Sequence, residues 1–163
     1  MKMVRGEYIY RFKDGTEWVV PNLITHEGLN TIAQVFAGQL PQNGTWYVGL
    51  ASGAVSQYDT AASKTWVEPL PTTGYARQQT TVSGVVQTTV SNLDVACIEF
   101  NPVTFSCGAE DEVWDVACQY AWLGLQLPDE DTIRIISIGS KQPSNIRLVP
   151  GASFELAYRQ YFG

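Results

Sequence analysis

The sequence predicts an all-β protein, an antiparallel β-sandwich of jelly-roll type with one short α-helix and an N-terminal β-hairpin arm. Three observations point there. Short β-prone runs separated by turn residues recur along the chain, about eight of them, which is the rhythm of a sandwich or jelly roll. Only one segment carries a helical period. Near the N-terminus an Asp-Gly pair stands between two aromatic-rich runs, a strong hairpin signal because both central turn positions favour residues that tolerate positive φ. The reading divides the chain into residues 1–20, the arm, and residues 21–163, the sandwich domain with its helix near 26–37.

The hairpin comes first. Tyr8-Ile9-Tyr10-Arg11-Phe12 alternates, Lys13-Asp14-Gly15 turns, and Thr16-Glu17-Trp18-Val19-Val20 returns. A two-stranded ribbon cannot bury a face of Tyr8, Tyr10 and Phe12 by itself, so it must lie on the main domain or on another chain. Thr25 is a good N-cap, Leu29, Ile32, Ala33 and Phe36 recur at helical spacing, and Gly38 ends the pattern. Glu27 in the first turn complements the helix dipole.

Everything downstream reads as strand and turn. Trp46-Tyr47-Val48-Gly49-Leu50-Ala51 is nearly all apolar, as for a central strand covered on both faces. Residues 52–74 form a long connection with one short strand at Thr65-Trp66-Val67, and loops of that length are usually functional or interface-forming. Residues 75–83 and 85–90 are expected to pair around Gly84, and 96–100 and 103–106 to flank a turn at Asn101-Pro102. From 113 to 122 apolar Trp114, Val116, Cys118, Tyr120 and Trp122 share one face, predicted to line the core. Residues 132–138 are a buried strand, 143–151 a loop and 153–162 the closing strand.

Composition bounds the function. One core suits 163 residues, and a chain of that length needs neither disulfides nor metal to fold. Only 16% of residues are charged, which leaves a surface rich in Thr, Ser, Gln and Asn and fits a protein covered by neighbours in an assembly. The net charge of −6 repels phosphate backbones, so nucleic acid is not an expected partner. Residues 1–7 lack the apolar core of a secretory signal, and no apolar run approaches the roughly twenty residues that span a bilayer, so a soluble protein made in a cytoplasm is expected, with no membrane partner. Cys97, Cys107 and Cys118 have no CxxC spacing. They read as buried free thiols, with a Cys107–Cys118 bridge or a reactive thiol as the alternatives.

No residue pattern announces catalysis. The sole histidine, His26, stands on the first helical turn beside Thr25 and Glu27, which point in different directions around a helix. No GxSxG, HExxH, P-loop or GxGxxG occurs. The acidic clusters Glu110-Asp111-Glu112 with Asp115, and Asp129-Glu130-Asp131, lack the EF-hand spacing and read as solvated turns. The five tryptophans suit a core better than a sugar-stacking platform. The expectation is a non-enzyme with no catalytic residue, metal or cofactor.

The order of phrases adds to this. Asn22-Leu23-Ile24-Thr25 before Gly28-Leu29, then Trp46-Tyr47-Val48-Gly49-Leu50, Gly74-Tyr75-Ala76-Arg77-Gln78, Val103-Thr104-Phe105, Trp114 and Leu148-Val149-Pro150-Gly151, resembles small structural proteins of tailed bacteriophages across roughly residues 22–160. The N-terminal hairpin lies outside the resemblance. Members are described as capsid decoration, head or tail-fibre proteins, so the likeness implies a virion component assembled in the host cytoplasm. As a capsid decoration or cement protein it would bind the major capsid protein and itself, as a homotrimer on a repeated lattice; as a tail, neck or fibre part it would contact other virion proteins and a host receptor. Tyr8, Tyr10, Phe12, Trp18 and Trp66 are the expected interface anchors, the first four with packing inside the same chain as the alternative.

Overall fold

The computed structural model describes residues 5–108, 114–116 and 118–162. Among them the chain runs β1 (Arg5–Phe12), β2 (Glu17–Ile24), α1 (His26–Phe36), β3 (Thr45–Ala51), β4 (Gln78–Thr80), β5 (Val82–Val90), β6 (Leu93–Phe100), β7 (Val103–Ser106), β8 (Trp114–Val116), β9 (Tyr120–Gln126), β10 (Arg134–Gly139), β11 (Ile146–Leu148) and β12 (Ser153–Phe162). The described residues are mostly antiparallel β with a single α-helix, as the alternation predicts.

The strands join differently from the expected pair of stacked sheets. One curled sheet, a half-barrel, runs in the order β4-β3-β9-β10-β2-β1-β12-β6-β5, with β7 also on β12 and β8 paired with β11 apart from it. β2 carries the curl. Its first part, up to Pro21, pairs with β1, and Asn22, Leu23 and Ile24 pair with β10. The changeover falls beside a proline, which has no N–H to lose from a ladder. The two ends of the order, β4 and β5, are separated in sequence only by Thr81. Asn101 fastens that joint: its N–H donates to the Thr81 carbonyl at 2.8 Å and its carbonyl accepts from Thr80 Oγ1 at 2.7 Å.

The hairpin at Asp14-Gly15 forms, with Gly15 at φ +88, but it is no arm. β12 pairs along the free side of β1, and β10 along β2, so the hairpin sits in the middle of the sheet. Its aromatic face demands this position, because that much apolar surface is most completely removed from water where strands flank it on both sides. Gly84 is a second correction. It lies inside β5 next to a bulge, and the turn falls at Ser91-Asn92, whose φ values of 52 and 62 are those of a type I′ hairpin. β5 therefore pairs with β6, the following strand. Residues 96–100 and 103–106 fall in β6 and β7, which flank Asn101-Pro102 as expected and each pair with β12.

The main core fills the curl with Tyr8, Tyr10, Leu50, Phe105, Leu123, Phe154 and Leu156. The opposite face of β3, β9 and β10 carries a second cluster of Ala51, Trp66, Trp122, Ile135 and Ile138, with Trp66 supplied by the 52–77 connection. β9 is thus buried on both faces, which corrects the one-sided core strand predicted over 113–122, of which residues 113 and 117 lie outside the described residues. α1 starts where predicted: Thr25 Oγ1 accepts from the Gly28 N–H at 2.9 Å. Gly28 then lets the helix lie directly on β10, since a Cβ there would stand 2.2 Å from the Ile136 carbonyl oxygen.

Candidate docking surface

A groove of about 320 Å³ opens between α1 and the sheet. Ile32, Val35 and Phe36 of α1 form one wall, Leu123, Leu125 and Ile136 the floor, and Val82, Ile98 and Phe100 the far wall. Helical spacing explains the first wall, since residues three and four apart share a face. Phe36, at the end of that stripe, is 94% exposed. The described lining residues include no Asp, Glu, Lys, Arg, His or Cys. Tyr158, which also lines it, is held neutral because burial pushes its phenol well above the ordinary range.

A buried polar network supports the floor. Asn22 Nδ2 donates to Ser137 Oγ and to Tyr158 Oη, both at 2.7 Å, and lies 3.2 Å from Gln160 Oε1, which accepts from the Tyr158 hydroxyl, while Tyr8 Oη donates to Ser137 Oγ at 3.1 Å. Asn22 Oδ1 accepts from the Gly6 N–H. These bonds tie β1, β2, β10 and β12 together, and with the groups paired to one another the network serves as a scaffold for the floor.

Beside the groove the β5–β6 hairpin stands out from the body. Val82 belongs to both, and Val85, 64% exposed, and Val86 continue from it along β5. β5 is the last strand in the sheet order, and its outer edge has no strand partner among the described residues.

His26, Glu27 and Glu130 each have partners of their own. His26 is exposed and packs edge-on against Tyr58 at 4.5 Å between ring centroids. Glu27 accepts from the Ile135 N–H at 2.7 Å and the Ala61 N–H at 3.3 Å, joining helix, β10 and the 52–77 connection. Glu130 pairs with Arg134 at 2.6 Å, and that guanidinium holds its carboxyl below the ordinary carboxylate range. The cluster at 110–112 lies outside the described residues. Among the described residues, no three His, Cys, Asp or Glu side chains gather as metal ligands would, and no disulfide is formed. All three thiols are buried, and burial pushes that of Cys118 up to about 12. No helix among these residues is long and apolar enough to cross a membrane.

Of the five predicted anchors, Tyr8, Tyr10 and Trp66 are buried within the chain. Tyr8 and Tyr10 are fully buried in the main core, and Phe12 and Trp18 are half-buried, 4.6 Å apart and packed against it. Trp66 is 2% exposed in the second cluster, 5.9 Å from Trp122 and capped by Lys64 at 4.3 Å. Aromatics near a turn signalled a need for burial, which the chain meets internally. Val82 and Val85 carried a quieter signal: residues 78–93 include no charge and no proline, an unusual composition for an exposed strand. No protein-family model, curated protein or solved structure matches the chain.

Proposed function

We propose that this chain is a structural protein of a bacteriophage virion, a capsid decoration protein that binds the major capsid protein and stabilises the head. The observation that carries the docking part of this reading is the apolar groove with its adjoining open strand edge, built without acid or base groups. A concave apolar surface of that kind gains free energy by covering contact and offers no proton donor or acceptor tuned to neutral pH for acid–base chemistry. The virion part rests on the resemblance of the ordered phrases from Asn22 to Gly151 to phage structural proteins. Low charge density agrees, because a covered surface studded with charges would cost desolvation on assembly.

The test is a count of copies in purified particles by quantitative mass spectrometry. A decoration protein is present at the order of hundreds of copies, since it repeats with the lattice. A few copies or a few dozen would move it to the tail, neck or fibre and overturn the head assignment. Absence from particles would overturn the virion reading.

A further inference from the structure

We propose that Asn43 is a site of spontaneous covalent modification: its side chain closes onto the backbone nitrogen of Gly44 and is converted to aspartate and isoaspartate, which places a new carboxylate at the rim of the apolar groove. The inference goes beyond the docking reading and does not depend on it.

The reaction needs an asparagine amide whose carbon the next backbone nitrogen can reach. The Gly44 nitrogen gives up its proton to water and attacks Cγ of Asn43, forming a C–N bond and expelling the side-chain nitrogen as ammonia. Water then opens the cyclic imide at either carbonyl, so that one attack gives aspartate and the other leaves isoaspartate in the chain. A following glycine favours ring closure, because it has no Cβ to crowd the attack and the widest choice of φ and ψ. Asn43-Gly44 is the one Asn-Gly pair in the sequence, which holds six asparagines.

The structure leaves this pair open to reaction. Asn43 is exposed and lies outside any helix or strand, and neither its side chain nor the Gly44 N–H has a hydrogen-bond partner among the described residues. The other asparagines are worse placed. Asn22 is bonded into the network under the groove, Asn30 is held in α1, Asn101 precedes a proline with no N–H, and Asn92 and Asn145 precede the bulky Leu93 and Ile146. Asp14-Gly15 could form the same imide by losing water, but both of its groups are engaged. Asp14 Oδ1 accepts from the Thr16 N–H at 2.8 Å, and the Gly15 N–H donates to the Phe12 carbonyl at 3.0 Å. Packing fixes the glycine at 44: a Cβ there would stand 2.6 Å from Leu125 Cδ1 and 2.9 Å from the Gln126 carbonyl oxygen, so the fold requires the residue that makes its neighbour labile.

Position gives the change a consequence. Gln42 and Trp46 both line the groove, whose described lining has no charged side chain, and Asn43 stands between them in the chain. Conversion sets a carboxylate beside that surface and makes the net charge of −6 more negative by one. Any apolar contact that covers the rim must then desolvate a charge.

The experiment is incubation of the full chain in mildly alkaline buffer, folded and in urea, followed by peptide mapping with mass spectrometry and chromatographic separation of aspartate from isoaspartate. Wild type is compared with Asn43→Gln, because glutamine must close a larger ring and does so more slowly. In the folded chain Asn43 is expected to convert at least about tenfold faster than any other asparagine, and within about tenfold of its own rate in urea. Asn43→Gln is expected to lose most of the isoaspartate. Another asparagine converting first, a folded Asn43 protected well beyond about tenfold relative to urea, or an Asn43→Gln variant that forms as much isoaspartate as wild type would each overturn the proposal.

Discussion

Hairpins β1–β2 and β5–β6 are built alike, each joining strands of eight or nine residues through a tight turn, at Asp14-Gly15 in one and Ser91-Asn92 in the other. Their surroundings are opposite. The first is flanked by β12 and β10, whereas the second has β12 against β6 and, among the described residues, no strand along β5. The side chains account for the contrast. Tyr8, Tyr10, Phe12 and Trp18 present large apolar areas whose burial stabilises the fold, a fully buried aromatic such as Tyr8 or Tyr10 removing about 150–250 Å² from water. The Val, Thr and Gln of β5 pair readily as a strand but return little from burial inside the chain. Turn chemistry thus makes a hairpin, and side-chain size decides whether it becomes core or is left for a partner.

The contrast is most exposed to test at Tyr10. Tyr10→Ala should cost about 3–5 kcal/mol in urea unfolding, the range for emptying a large buried aromatic site. Tyr10→Phe should be neutral or stabilising, because the Tyr10 hydroxyl is buried with no hydrogen-bond partner among the described residues. A cost below 1 kcal/mol for the alanine, on the order expected at a surface site, would place the β1–β2 hairpin outside the core.

Asn22→Ala should cost about 1–3 kcal/mol, since it leaves the Gly6 N–H without its side-chain partner and removes one of the two bonds to Ser137 Oγ. Hydrogen exchange should quicken in β1 and β10 together, because Asn22 joins them. Loss confined to β2 would show that the network does not tie those strands.

Glu130→Gln should cost under about 1 kcal/mol at neutral pH, as the Glu130–Arg134 pair is part-exposed. Arg134 lowers the carboxyl's pKa in the folded state, so the contribution is present above the ordinary carboxylate range and fades as pH falls through the lowered value. Wild-type and variant unfolding curves should therefore converge in acid. Divergence there would assign the effect to packing.

Smallest is Val85→Ala, expected to shift monomer stability by no more than about 0.5 kcal/mol because the side chain is exposed. A cost of several kcal/mol in dilute protein would mean that the strand is core after all.

Particular residues show what was legible. Thr25 and Gly38 bracketed the helix within a residue or two, and the alternation of Phe154, Leu156, Tyr158 and Gln160 traced β12 over its full length. Period-two patterning reports faces but names no neighbours, so nothing local said that β12 would lie against β1 or that β2 would change partners at Pro21. Gly84 read as a turn because glycine permits one, while the Ser91-Asn92 pair, less usual in that role, made it. The groove escaped for the same reason. Its walls come from α1, β5, β6 and β9, and no single window of sequence contains them.

Hydrogen–deuterium exchange of the dilute protein tests the central claim most directly. Amides of β1 and β2 should be protected, and those of β5 that face outward should exchange fast. Strong protection of the outward β5 amides, or fast exchange throughout β1 and β2, would contradict the account.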